Sequence, residues 1–225
     1  NTYALSERYY PPWAPMSSAD RKRWLDMERQ AYHSAVAVFA RTEWVRRSLI
    51  DDYQLPAERA VWVGTGSHFA PGTVPATKDS DDGRTILFVG KEFERKGVPD
   101  LLQAFALVRA EQPAARLVLV GHDATVQQDG VEVVGKVRDR DRLRALYARA
   151  SVFVLPSRFE PCGLVLTEAM AYHLPCVVTD AGGLADLVTN GETGFVVPRD
   201  RPDLLAGRIV TLLADPDLRR RMGQA

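Results

Sequence analysis

The stretch SVFVLPSRFEPCGLVLTEAM, Ser151 to Met170, decides how this chain is read. SVFVLP, 151–156, is apolar throughout and reads as a buried strand. A Pro-Cys-Gly turn follows, and LVLTEAMAYH, 164–173, reads as a helix. The first amides of a helix have no partner inside it, so a strand, a tight turn and a helix start in succession form an anion site. Cys162, Gly163 and Leu164 supply those amides. Glu160 precedes the turn and Glu168 lies inside the helix, with seven residues between them. Leu164, Val165, Leu166, Ala169, Met170 and Ala171 make that helix almost wholly apolar. A carboxylate within it is expensive to bury without a partner, and a pair of ligand hydroxyls is a good one. Phosphate-binding amides flanked by hydroxyl-binding acids suit a nucleotide sugar.

Outward from this stretch the pattern repeats. TILFVG (85–90), RLVLVG (116–121), VEVVG (131–135), PCVVTD (175–180) and GFVVP (194–198) read as strands. Residues 97–112, 140–150, 184–190, 201–214 and 216–224 read as helices. Apolar strands alternating with helices predict an α/β fold, a doubly wound parallel sheet covered on both faces. Upstream, 18–34 reads as a helix capped by Ser17 or Ser18, with an apolar stripe of Trp24, Met27, Ala31 and Tyr32. AVAVFA (35–40) reads as a buried strand, Thr42 caps a helix over 43–53, and AVWVG (60–64) is a short strand. The expected organisation is the end of one Rossmann-like domain over 1–70, a Pro/Gly/Asp-rich linker over 71–83, and a second domain over 84–225. The chain opens on Asn and stops at RRRMGQA, which reads as a fragment open at both ends.

Composition narrows the function. Lys+Arg 29 balances Asp+Glu 29, so no global charge points to nucleic acid. No apolar run approaches a membrane span, and no signal peptide is read. Cys162 and Cys176 are too few for a disulfide framework, and reduced thiols predict a cytoplasmic protein. His33, His68, His122 and His173 form no metal-spaced cluster; His122, in VGHD, ends a strand and points toward the crevice.

In doubly wound sheets ligands bind beyond the carboxyl ends of strands. GKEFERKG, 90–97, places Gly90 at a strand end and Lys91 and Lys96 on the loop beyond it. Two cations there neutralise a diphosphate and stabilise it as a leaving group. DAGGLADLV, 180–188, carries Gly182 and Gly183, which allow close backbone approach to a ligand. Gly135, Lys136 and Val137 follow a short strand and edge a base pocket.

FVGKEFERKG, LVLVG, ALYARASVFVLPSRFEPCGLVLTEAM, PCVVTDAGGLADLV and NGETGFVVP occur in that order. Together they resemble the nucleotide-sugar-dependent retaining glycosyltransferases of the two-Rossmann-domain (GT-B) architecture, group 1 family. The resemblance runs from about residue 24 and includes ERQAYHSAVAVFARTEWVRRSLIDDY, which is similar to the end of that family's N-terminal domain. It implies that Lys91 and Lys96 contact the donor diphosphate and that Glu160 is the first acid of an E-x7-E motif, set against the transferred sugar. It implies further that Glu168 holds the ribose hydroxyls, that the amides of Cys162, Gly163 and Leu164 approach sugar and phosphate, and that Gly135, Lys136 and Val137 contact the base. Position 91 departs from the family's usual Arg: Lys keeps the charge and loses the bidentate fork.

The expected activity is transfer of a sugar from a nucleoside-diphosphate sugar, used as co-substrate, to an acceptor hydroxyl with retention of configuration. No cofactor and no metal are expected, the lysines and helix-end amides standing in for a divalent ion. The acceptor is a glycan, lipid or small molecule, and peripheral contact with the inner face of the membrane falls to an N-terminal domain that is mostly absent. The fragment alone is expected to bind donor without transferring. Three rivals stay open: a glycogen- or starch-synthase-like glucosyltransferase, since SRFEPCGL resembles that family too; an epimerase of the same fold; and a non-catalytic nucleotide-sugar sensor.

Overall fold

The structure, a computed structural model, describes residues 1–69, 72–76, 78, 81–121, 123 and 125–225. His122 lies outside the described residues, so its expected approach to the crevice is left there. The chain divides into two compact units, Asn1–Thr65 and Gly66–Ala225.

The first unit holds α1 (Tyr3–Tyr9), a 3-10 turn (Pro11–Trp13), α2 (Ser18–Ser34), β1 (Val38–Ala40), α3 (Glu43–Asp51) and β2 (Ala60–Trp62). Ser17 and Thr42 cap α2 and α3, their hydroxyls accepting from Asp20 N and Val45 N. β1 and β2 pair in parallel with Phe39 opposite Val61. Two expectations are corrected here. Of the predicted apolar stripe only Tyr32 packs inward, its ring 5.0 Å from that of Tyr53; Trp24, Met27 and Ala31 are exposed. The strand over 35–40 is not buried throughout: Val36 and Phe39 are exposed, because a two-stranded ribbon has no second layer over its outer face within this unit. α1, absent from the sequence reading, is started by Thr2, whose hydroxyl accepts from Leu5 N.

The second unit runs β3 (Thr85–Val89), α4 (Val98–Glu111), β4 (Arg116–Val120), β5 (Val131–Gly135), α5 (Arg140–Arg149), β6 (Val152–Leu155), α6 (Leu164–Ala171), β7 (Cys176–Thr179), β8 (Gly194–Val197), α7 (Pro202–Ala214) and α8 (Pro216–Gln224). Its strands form one six-stranded parallel sheet in the order β5-β4-β3-β6-β7-β8. Chain order therefore reverses between β3 and β6, the switch point of a Rossmann-like sheet. β3, β6 and β7 are buried along their whole length, as continuous apolar strands must be when helices cover both faces. The described part of 66–83 packs on this unit. Phe69 is buried in its core, and Asp81 and Asp82 both accept from the Ser151 hydroxyl at 3.1 Å.

The helix expected over 184–190 does not form. Only a 3-10 turn, Gly182–Leu184, is present, followed by turns. Gly-Gly before and Asn-Gly after leave too few residues to offset the cost of nucleation. The polar side chains instead bind backbone: Asn190 accepts from Val196 N at 2.9 Å and Thr193 from Thr189 N at 3.0 Å. None of the described helices is long and apolar enough to cross a membrane.

Gly97 opens α4 in the left-handed region, φ 69°, and a Cβ there would collide with the Pro156 carbonyl, which is backbone and cannot step aside. Gly97→Ala is therefore expected to destabilise the second unit by about 2 kcal/mol or more. Urea unfolding followed by circular dichroism checks this: a midpoint within error of the parent's would contradict it.

Candidate functional site

The carboxyl ends of β3, β4 and β5 and the start of α6 enclose a cleft of about 630 Å3 at the switch point. Gly90, Lys91, Lys96, Lys136, Val137 and Glu168 line it, so six of the sequence-predicted residues are brought to one wall or another. Arg95 and Arg138, which the sequence reading passed over, line it as well. Cations thus outnumber the cleft's acids, Glu92 and Glu168, and the space suits an anion.

The two lysines differ in state. Lys91 is exposed and has no hydrogen-bond or ion-pair partner among the described residues. Lys96 is buried at 9% exposure, and its ammonium donates to Glu160 Oε2. Glu160 does not line the cleft; it stands behind Lys96 at 7% exposure. Its other oxygen accepts from Gly163 N at 3.0 Å, and Arg95 Nη1 lies 3.6 Å from Oε2. Burial alone would raise this carboxyl. The Lys96 charge, the Lys96 and Gly163 hydrogen bonds and the Arg95 charge outweigh it and hold Glu160 below the usual carboxylate value.

The turn is built for this. Gly163 sits at φ 63° as the N-cap of α6, where a Cβ would come within 2.8 Å of Leu184 Cδ2. Its amide serves Glu160, so the turn's amides left by helix geometry for a ligand are those of Leu164 and Val165. Cys162, partly exposed, and Leu164 lie on the turn outside the cleft lining. Gly182 and Gly183 are also outside it; Gly183 N donates to the Glu160 carbonyl at 2.9 Å, so the Gly-Gly pair props the acid from behind. Gly135 ends β5 at φ 70°, and Lys136 forms an exposed pair with Asp123 at 3.3 Å.

Glu168, buried at 9% exposure, has a different shell. Oε2 accepts from the Tyr147 hydroxyl at 2.9 Å, and Oε1 lies 3.5 Å from His68 Nδ1. Neither neighbour was singled out with Glu168 in the sequence, since nothing local marks the tyrosine of ALYARA as reaching 21 residues on. Arg95 had a visible signal, adjacency to Lys96; buried, it donates to the Phe159 carbonyl at 2.8 Å and pairs with Glu92 at 2.7 Å.

Among the described residues no group of three or more His, Cys, Asp or Glu is placed to hold a metal ion. Two Asp-x-Asp spacings are helix starts: Asp139 caps α5 and Asp141 pairs with Arg144, while Asp215 caps α8 and Asp217 pairs with Arg220. A second cavity, about 360 Å3, lies near the amino ends of β3 and β7. Its cations are occupied: Lys78 with the Ala148 carbonyl at 3.1 Å, Arg219 with the Leu212 and Leu213 carbonyls at 2.9 Å and with Asp81 at 3.2 Å, and Arg220 with Asp217 at 2.7 Å. Burial lowers the Lys78 ammonium to about 8.

Comparison with known proteins places the chain in a family. Residues 74–225 match the family described as glycosyl transferases group 1. The chain is 30% identical over 217 residues to the alpha-D-kanosaminyltransferase of Streptomyces kanamyceticus, covering 88% of this chain and 56% of that protein. It is 36% identical over 152 residues to a glycogen synthase of Mycobacterium tuberculosis, covering 62% of this chain and 36% of that protein. Anabaena Alr3699/HepE, solved in complex with UDP and glucose, matches with a TM-score of 0.71 at 21% identity, over 89% of this chain and 60% of that one, a likeness of fold. The chain spans about half the length, or less, of these curated relatives. With a parallel Rossmann-like sheet of the GT-B kind and a family match over residues 74–225, the chain belongs to the group 1 glycosyltransferases.

Proposed function

We propose that this chain carries the donor site of a glycosyltransferase that moves a sugar from a nucleoside-diphosphate sugar to an acceptor hydroxyl, with retention and without a metal ion. The observation that carries the reading is the cleft itself. Exposed Lys91 and Glu160-bound Lys96 line it with Glu168, at the carboxyl ends of the strands where such sheets take nucleotides. The diphosphate lies by Lys91 and Lys96 and against the first amides of α6. The ribose hydroxyls lie by Glu168, and the base lies along Gly135, Lys136 and Val137.

In the reaction the bond from the sugar's anomeric carbon to the diphosphate oxygen breaks, and its electron pair leaves with the diphosphate. The acceptor oxygen bonds to that carbon on the same face, and its proton departs with the diphosphate. Lys91 and Lys96 stabilise the charge that develops. Glu160, committed to Lys96 and the Gly163 amide, orients the sugar through those two groups and does not form a bond to it. The acceptor and any membrane contact belong to the remainder of a longer protein. The 36% identity to a mycobacterial glycogen synthase favours one second reading, a glucan as acceptor.

Calorimetry with UDP, GDP and ADP, free and sugar-linked, tests the donor site. One of them binds, and Glu168→Gln weakens it by about tenfold; no binding to the full-length protein would sink the reading. In that protein Glu160→Gln is expected to lower turnover on the order of 100-fold or more, while EDTA leaves turnover unchanged. Wild-type turnover in the variant, or loss with EDTA restored by a divalent ion, would each remove a part of the mechanism. A donor converted with no acceptor present would instead indicate an epimerase, and binding without any transfer would indicate a sensor.

The depressed Glu160 carboxyl also sets a pH dependence. Its folded value lies below the unbound 4.5, so the stability it contributes is fully present above about pH 4.5 and is lost as pH falls through the folded value. The stability gap between the parent and Glu160→Gln should be constant from pH 5 upward, to about half a kcal/mol, and close in more acid solution. A gap that closes between pH 6 and pH 8 would show the pair to be wrongly described.

A further inference from the structure

Glu168 would hold a pair of hydroxyls at less entropic cost with its carboxylate plane fixed, and one buried hydroxyl bonds it. Tyr147 is fully buried on α5. Its ring stacks on Tyr172, centroids 5.6 Å apart and planes 19° from parallel. Phe69 meets it edge-on at 6.0 Å, and Phe153 lies tilted at 6.0 Å. With three rings around it the phenol has little room to turn, and its hydroxyl is delivered to one place. Two acceptors are there: Glu168 Oε2 at 2.9 Å and the Val165 carbonyl at 3.4 Å. A phenol has one proton to give, and the shorter, charged acceptor takes it. Burial, and then the Glu168 charge, push the Tyr147 phenol well above its usual value, so it remains a donor through the working pH range.

The consequence for the cleft is an asymmetry in Glu168. Oε2 is held by the protein. Among the described residues Oε1 has only the exposed imidazole of His68, at 3.5 Å, which is too long for a good hydrogen bond. One oxygen is thus anchored and the other left to a ligand.

We propose that Tyr147 is the positioning residue for the ribose-binding carboxylate: it anchors Glu168 Oε2 so that the carboxylate meets the ribose hydroxyls in one orientation. The inference rests on the reading of Glu168 given above. Tyr147 touches neither substrate nor the reacting bond. It acts through Glu168 alone, so its removal should cost donor affinity and the ability to distinguish ribose from deoxyribose, while leaving the chemical step intact.

The test is Tyr147→Phe in the full-length protein, which keeps the ring and its stacking and removes only the hydroxyl. Whichever of UDP, GDP and ADP binds the parent is titrated against it, together with its 2′-deoxy counterpart, in parent, Tyr147→Phe and Glu168→Gln. The expected result is a loss of about tenfold in affinity for the ribonucleotide. The deoxy form should be bound nearly as before, so that the ratio between the two falls toward one. Donor KM should rise in step while kcat holds within about twofold. If Glu168→Gln loses affinity and discrimination but Tyr147→Phe keeps both, the positioning role is overturned and the reading of Glu168 stands. If Glu168→Gln itself binds both nucleotides like the parent, the reading of Glu168 fails first. A variant that melts earlier yet keeps the parent's ratio and KM would show Tyr147 to be a packing residue only, and also overturns the proposal.

Discussion

The Glu160 carboxylate is held out of water by groups from three different loops. Lys96 reaches it from beyond β3, the Gly163 amide from its own turn after β6, and Gly183 braces its carbonyl from beyond β7. An ionised carboxylate in such a place costs several kcal/mol unless its charge and lone pairs are met. Meeting them ties together loops that belong to neighbouring strands at the switch point. The backbone conforms to this pair: Gly163 takes a left-handed conformation to bring its amide round. Arg95, buried beside Lys96, ties the first loop to the Phe159 carbonyl one residue before the acid. Removing either charge of the pair would strand the other, which is why the interaction specifies the site's shape even if its net contribution to stability is small.

The sheet was legible because its strands are continuous apolar runs, a pattern that tertiary context rarely overrides when both faces are buried. TILFV, VFVL and CVVT are buried at every position. Where the pattern was short or polar it misled. LADLVTN carries the spacing of a helix turn, but Asn190 and Thr193 spend their side chains on local backbone and the helix never nucleates. The stripe of α2 failed for another reason. Periodicity shows that a face is apolar and not that the unit holds something to cover it, and Trp24 and Met27 are exposed.

The site was legible in outline and not in its wiring. Lys91, Lys96 and Glu168 were placed by their position after strands and in an apolar helix, and the cleft gathers them. That Lys96 is bound to Glu160 could not be read, because the partners are 64 residues apart and nothing in either motif names the other. Tyr147 was invisible for the same reason: a tyrosine in an otherwise charged helix reads as one more core contact. The pairing makes the two lysines unequal. Lys91 brings a charge with no partner among the described residues, while Lys96 brings one already balanced by Glu160. An anion entering the cleft would meet the first at nearly full strength and compete with a carboxylate for the second.

Glu160 and Glu168 have seven residues between them in sequence, yet the fold gives them opposite surroundings. Glu160 is met by a cation, an amide and a nearby guanidinium, and both its oxygens are occupied. Glu168 is met by a neutral hydroxyl on one oxygen and a distant imidazole near the other. A carboxylate balanced by charge keeps its place and its ionisation whether or not a ligand is present, and so suits a fixed support behind the cleft wall. A carboxylate held by a single neutral donor keeps acceptor capacity in reserve, and so suits a partner that arrives carrying hydroxyl groups. Identical side chains acquire different chemical character because one is compensated from within the protein and the other keeps acceptor capacity on its cleft side.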